Sequence, residues 1–364
     1  MRPSSAPSLK LMKTVWETPM AVLLAADRGA PRPARDGREH TPLGPPVDSR
    51  HSQENDMQIG AQLHNNSTSW QDITAVARTM DAGRWSSLWV YDHFFPPVPN
   101  LGNEIPTFEA YALLAGLAAT TERVRLGTLV TGNTYRNPAL VAKMIATMDD
   151  MSGGRMNVGI GAAWFEREHT AFGWQFPSLK ERLDRLEEAV QVIRLLFESE
   201  GPVTFEGEYY SLDDTPFEPK CIQQPHAPIM VGGGGEKRTL RTCARYGDIM
   251  NVDGPPDFVR RKIEVLEQHC ADIGRDPAEI KKSIQLTCVL QDDPEKAAMW
   301  RERYGGHLTP EERERDLAIG PAERIVEVLH RYEEVGVEEA IFARMPNNPR
   351  LYQRLDDEVL SAFA

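Results

Sequence analysis

From residue 58 onward the chain swings between two rhythms of apolar and polar positions. Short β-branched and apolar runs at 58–63 and 87–91 have the size of strands buried on both faces. Between and after them, at 70–81 and 107–120, apolar residues recur three and four apart, the spacing of one helix face. Residues 124–130 make a third strand. Asn137 then offers an N-cap and Pro138 suits a first helical turn, and Leu140, Val141, Met144, Ile145 and Met148 carry the helix to Gly153-Gly154. Residues 156–160 form the fourth strand. Ser178 and Glu181 have the spacing of a capping box, opening a helix to residue 198 with Leu183, Leu186, Val190, Ile193 and Phe197 on one face. Residues 201–228, rich in aromatics and prolines, read as an irregular excursion.

The alternation then resumes. Strands are expected at 228–231, 248–252, 283–290 and 339–343. Helices follow them up to residue 246, over 256–273, across 294–335 with a break near Gly305-Gly306, and from Pro349 onward. That makes eight β/α units in a row, the number that closes a barrel. Each strand–helix–strand step implies a right-handed crossover, so all C-terminal strand ends meet on one face. Ligands bind there in α/β folds.

Composition trims this picture. Residues 1–56 scatter prolines such as Pro3, Pro31, Pro45 and Pro46 among polar residues with no lasting period, which predicts a disordered arm ahead of a fold starting at Met57. The apolar patch at 20–26 is too short for a secretory signal. Lys+Arg number 41 against 54 Asp+Glu, a net charge of -13, which argues against nucleic acid as a partner. Cys221, Cys243, Cys270 and Cys288 lie far apart with no C-x-x-C, neither a zinc pattern nor a disulfide framework, so a reducing cytoplasm is expected. No apolar run approaches the ~20 residues of a membrane span.

Candidate chemistry gathers at the strand ends. His93 follows strand two beside Asp92, and histidine titrates near neutral pH, as an acid–base residue must. Gly159-Ile160-Gly161-Ala162-Ala163-Trp164 begins like a dinucleotide fingerprint, but Trp164 occupies the third glycine position. Gly232-Gly233-Gly234-Gly235 lies between a strand and a helix without the Gly-Lys-Ser/Thr of a P-loop. It makes a backbone nest able to face an anion, with Lys237 and Arg238 nearby. Arg155 reads as scaffold, with Asp149 and Asp150 as candidate partners. His64 and Trp164 are candidates to line a substrate pocket. His226 and residues 165–169 show no metal-ligand pattern, the latter reading as a surface loop and helix start.

The block at 125–164 resembles the bacterial-luciferase-like flavin and deazaflavin family, above all the branch that uses coenzyme F420. The resemblance is carried by RLGTLVTG at 125–132, Tyr135-Arg136, Pro138-Ala139-Leu140, Ser152-Gly153-Gly154-Arg155 and GIGAAW at 159–164, with Ala163 where glycine is usual. It extends from about Met57 to the C-terminus. It implies a single (β/α)8 TIM barrel and an F420-dependent oxidoreductase moving a hydride between F420 and a small organic substrate. A reduced-flavin (FMN) monooxygenase and a non-catalytic flavin or deazaflavin carrier remain open alternatives, and a homodimer is common among such proteins. The resemblance casts Asp92 and His93 as the catalytic pair. It places Thr128, Leu129, Thr131, Gly159, Gly161, Ala162, Ala163 and Trp164 along the cofactor, and its phosphate at Gly232, Gly233, Gly234 and Gly235. It also implies a non-proline cis peptide at Thr128–Leu129. Pro97 stands where a sugar-phosphate-using member carries tryptophan, which sets that substrate in question.

Overall fold

Eight parallel strands close on themselves in chain order: β1 Gln58–Leu63, β2 Ser87–Val90, β3 Arg125–Thr128, β4 Met156–Gly161, β5 Ile229–Gly232, β6 Ile249–Val252, β7 Lys281–Leu290 and β8 Glu339–Ala343. Each pairs with the next, and β8 returns to β1 with Gln58 beside Glu339. The computed structural model describes residues 57–97, 105–306 and 308–364, so the arm expected at 1–56 lies outside the described residues. The helices are α1 Trp70–Ala82, α2 Ala110–Ala118, α3 Pro138–Ser152, α4 Glu166–Ala171, α5 Leu179–Glu198, α6 Thr239–Tyr246, α7 Pro256–Ile273, α8 Pro294–Gly305, α9 Pro310–Asp316, α10 Ala322–Glu333 and α11 Pro349–Glu358.

Local chemistry explains where the helices start and stop. Ser69 and Asp72 cap α1 reciprocally. Asn137 accepts from the Ala139 amide ahead of Pro138, and Gly153 ends α3 at φ 70°, a left-handed conformation that glycine adopts freely. At α5 the expected capping box is half made. Ser178 accepts from the Glu181 amide, but the Glu181 carboxylate turns to Arg185 at 2.7 Å, because an i,i+4 cation outcompetes the backbone for it.

The excursion is not irregular throughout. Val203–Glu206 and Ser211–Thr215 pair as an antiparallel hairpin, which period-two reading missed because both strands are short and half-exposed. A short strand, Ala318–Gly320, also adds to the outer end of β7. Arg155 is scaffold as expected, yet it binds carbonyls rather than Asp149 or Asp150. Its guanidinium donates to Ser152, Val124, Thr121 and Ala118, while Asp149 takes the amides of Ile222 and Gln223.

Outward-facing strand residues pack under the helices in one continuous apolar core. Inside the barrel Trp89, Leu129, Met230, Ile249 and Ile341 form a smaller cluster. Above them Gln285 donates to Gln62 at 3.1 Å, and Gln62 donates to the Leu129 carbonyl at 2.9 Å. This buried amide relay pins the end of β3 from within the barrel.

The candidate active site at the C-terminal strand ends

At the end of β3 the structure corrects the sequence reading by one residue. The non-proline cis peptide is Leu129–Val130, not Thr128–Leu129. The Leu129 amide still donates to Val90 O at 2.8 Å, so the ladder runs through Leu129 and the departure comes one bond later. Thr128 and Thr131 are both buried. Tyr111, Thr131 and Thr128 form a buried hydroxyl chain at 2.7 and 3.0 Å, ending on Gly159 O at 2.8 Å.

The small residues at 159–161 and 232 answer to this bulge. A side chain at Gly159 would lie 1.7 Å from the Thr128 carbonyl oxygen, and one at Gly161 or Gly232 would lie 2.9 Å from a Val130 methyl. A side chain at any of the three would therefore meet the protein itself. Leu129 and Val130 remain as the wall facing the barrel mouth.

Ala163 sits at φ 60°, the left-handed region where glycine meets no penalty. Its carbonyl accepts from Arg182, which holds the turn in place. Ala163→Gly should therefore stabilise the protein by about 1 kcal/mol, read as a small rise in Tm with no loss of the site. A lower Tm would show that the turn costs nothing as alanine.

His93 leaves β2 and meets a carboxylate, but not Asp92. Its Nδ1 lies 3.0 Å from Glu168 Oε2 on α4. Glu168 also accepts from the Phe94 amide at 2.5 Å and from the Tyr135 hydroxyl. Asp92 is instead held by two hydrogen bonds from Arg136 at 2.6 and 3.1 Å, and Arg136 reaches Glu109 as well. Burial raises the Asp92 carboxyl against the pull of Arg136. Asp92 thus braces the loop from behind while Glu168 orients the imidazole.

The helix start expected at 165–169 is there, but it is not all surface: Glu168 and His169 are fully buried. The signal was present in the aromatic residues around it. Phe165, Phe172, Trp174 and Phe176 surround the pair, and His169 is closed off by Phe165 O at 2.9 Å and Thr134 Oγ1 at 2.7 Å. Gln62 was legible in the same way, as a polar residue inside an apolar strand.

Burial alone would raise the Glu168 carboxyl, but its bonds from His93, Tyr135 and Phe94 outweigh that and hold it low. A carboxylate lowered on folding adds stability that is complete above its unfolded value and disappears as pH falls through its folded value. Wild type should lose this increment on acidification below about pH 4.3, and Glu168→Gln should lack it. Parallel Tm–pH curves for the two proteins would refute this.

Trp164 is 62% exposed at the rim, with its ring 5.7 Å from the His93 ring. Ala162 and Ala163 lie beneath it, half-buried. His64, at the end of β1, meets Tyr91 edge-on at 6.5 Å, and Tyr91 is 5.9 Å from His93. Burial and the nearby Arg344 charge lower the His64 pKa.

At the end of β5, Gly233 adopts φ 118° and spends its amide on Asn251 O at 2.9 Å. Among the described residues the amides of Gly234 and Gly235 have no protein acceptor. Helix α6 begins only at Thr239, after the turn of residues 236–238. Of the two cations expected to assist, Arg238 is committed to Asp184 and Lys237 is exposed. Glu236 in the same turn is neutralised by Lys262 at 2.7 Å and Arg261 at 3.0 Å.

His226, read as isolated, lies 3.3 Å from Glu198 and 3.7 Å from Asp248. No group of three or more ligand-type side chains able to hold a metal ion occurs among the described residues. No helix among them is long and apolar enough to cross a membrane, and all four cysteines are buried and free.

The chain is similar to several known proteins. An F420-dependent glucose-6-phosphate dehydrogenase of Kineococcus radiotolerans is 36% identical over 58% of this chain, which spans 61% of that protein's length. The pyrimidine monooxygenase RutA of Allorhizobium ampelinum is 31% identical over 53% of this chain and 52% of its own. In structure, an F420-dependent secondary alcohol dehydrogenase bound to an F420–acetone adduct superposes with a TM-score of 0.73 at 22% identity, covering 84% of this chain and 99% of its own. The EDTA monooxygenase of Chelativorans sp. BNC1 follows at 0.72 and 14%, over 85% and 93%. Residues 55–307 match the family described as luciferase-like monooxygenase. That match spans more than half of the chain, and the protein belongs to the luciferase-like monooxygenase family.

Proposed function

We propose that this protein is an F420-dependent oxidoreductase that moves a hydride between coenzyme F420 and a small organic substrate. The observation that carries the reading is His93, fixed through Nδ1 by buried Glu168 at the mouth beside the Leu129–Val130 wall. Relatives named as F420-dependent dehydrogenases support F420 over flavin.

The residues present fit the cofactor. The unbonded amides of Gly234 and Gly235 suit a phosphate, since exposed backbone N–H groups near a helix start favour an anion. Leu129 and Val130 offer an apolar backing for a flat ring, and Trp164 offers a cover at the rim. When bound, F420 supplies a ring carbon that gives or takes two electrons as hydride.

The chain manages the proton. With Nδ1–H directed at Glu168, His93 keeps Nε2 free to take a proton from a substrate hydroxyl or return it to a carbonyl. Ionised Glu168 stabilises the imidazolium formed in the first direction. Asp92, tied to Arg136, keeps the loop from shifting as that charge appears.

The test is a parallel titration of the purified protein with F420 and with FMN, followed by turnover on a panel of secondary alcohols and carbonyl compounds. F420 should bind and its visible absorbance should fall on reduction. Tight FMN binding without F420 binding would overturn the proposal and favour the monooxygenase reading.

A further inference from the structure

A cavity of about 650 Å³ opens between the ends of β1, β7 and β8, under α8. Its volume suits one small organic molecule. Trp300 and Tyr304 of α8, stacked 5.6 Å apart, form one wall. Leu290, Met345 and Leu351 make much of the rest apolar.

Arg344 stands at the edge of this apolar space. No carboxylate lies within ion-pair reach of it among the described residues, and its guanidinium rests 5.6 Å from the Tyr304 ring centroid. The carboxylate that also lines the cavity, Asp72, is occupied by Ser69 at the start of α1, at 2.7 Å. Arg344 is held at φ 66°, and Ser67 across the cavity at φ 49°, two of the four non-glycine residues with positive φ among those described. Backbone strain of this kind persists where the surroundings enforce it, typically at ligand clamps. The wall of the cavity also touches Tyr91, the neighbour of the candidate acid–base residue. Asn66 of its wall bonds the Tyr91 hydroxyl, and His64 packs edge-on against Tyr91, which adjoins His93.

We propose that this cavity is the recognition end of the substrate site and that it selects organic acids, with Arg344 pairing the substrate carboxylate and Trp300 and Tyr304 flanking its apolar body. Its identification as a substrate site rests on the oxidoreductase reading above. A single unpaired guanidinium matches a single negative charge and forks naturally onto a carboxylate. A phosphate dianion would call for more cations than the cavity supplies. Bound this way, a substrate of a few carbons extends past Tyr91 towards His93.

The test uses 4-phenylbutyrate, its neutral analogue 4-phenylbutanol and inorganic phosphate, with binding followed by calorimetry on the full chain. Wild type should bind phenylbutyrate roughly tenfold or more tighter than phenylbutanol, with phosphate failing to compete. Arg344→Gly fits φ 66° without strain, so it should fold at least as well as wild type. It should lose the carboxylate preference while keeping its F420 affinity, and Arg344→Lys should restore part of the preference. Equal binding of acid and alcohol by wild type, an unchanged preference in Arg344→Gly, or displacement by phosphate would each overturn the proposal. Because these probes need no cofactor, absence of F420 binding with the preference intact would sink the oxidoreductase reading alone.

Discussion

His93→Ala should bind F420 nearly as wild type does and lose about 10²–10⁴ in the rate of hydride transfer, the usual worth of general acid–base assistance. His93 is at the mouth with its side chain only 14% exposed, and its removal also takes one of three donors from buried Glu168, so some stability is lost with it and the rates are compared on folded protein. Glu168→Gln should lose activity by a different route. The Glu168 carboxylate accepts from Phe94, Tyr135 and His93, and an amide carries two N–H donors of its own, so it cannot accept all three. The imidazole loses its anchor although it is still present. Single-turnover kinetics on pre-reduced or oxidised F420 would separate the two. Undiminished transfer in His93→Ala would move the proton role to another residue.

Gly159→Ala should be far more harmful to the fold than its size suggests. The added methyl would stand 1.7 Å from the Thr128 carbonyl oxygen, and no rotation of a side chain can relieve a clash with backbone. Relief requires β3 and β4 to separate, breaking the Thr128 hydroxyl bond to Gly159 O at 2.8 Å. Overpacking of this kind costs about 3 kcal/mol or more at the severe end. A fall in Tm of roughly 5 °C or more is expected for a domain of this size, or recovery of the protein only as aggregate. A normally stable Gly159→Ala would mean that the bulge can shift without cost.

Much of the barrel was readable from the sequence because its signals are local. The limits 58–63, 256–273 and 339–343 agree with β1, α7 and β8, and for α7 the two ends are marked by Pro256 and Gly274. The site was readable only in part. His93 and the glycine turn were singled out from neighbouring residues alone. Glu168 was not, because its partner lies 75 positions away, and only the fold brings a helix start beneath the end of β2. The same limit hid the role of the small residues. Nothing adjacent to Gly159, Gly161 or Gly232 announces that Val130 and the Thr128 carbonyl will occupy the space beside them. The hairpin within the excursion escaped because its alternation is short and half-exposed, with too few apolar positions to set a phase.

The wall at Leu129–Val130 is shaped by the Thr128 carbonyl and the Val130 methyls pressed against glycines, whereas the opposite side of the mouth is built from side chains of α8 and of the loop after β8. Laboratory evolution of this protein should therefore be lopsided. Randomising Trp300, Tyr304 or Leu351 should yield many folded variants with altered substrate choice. A library at Gly159, Gly161 or Gly232 should return mostly dead clones, so the affordable route to a new substrate runs along one rim of the barrel.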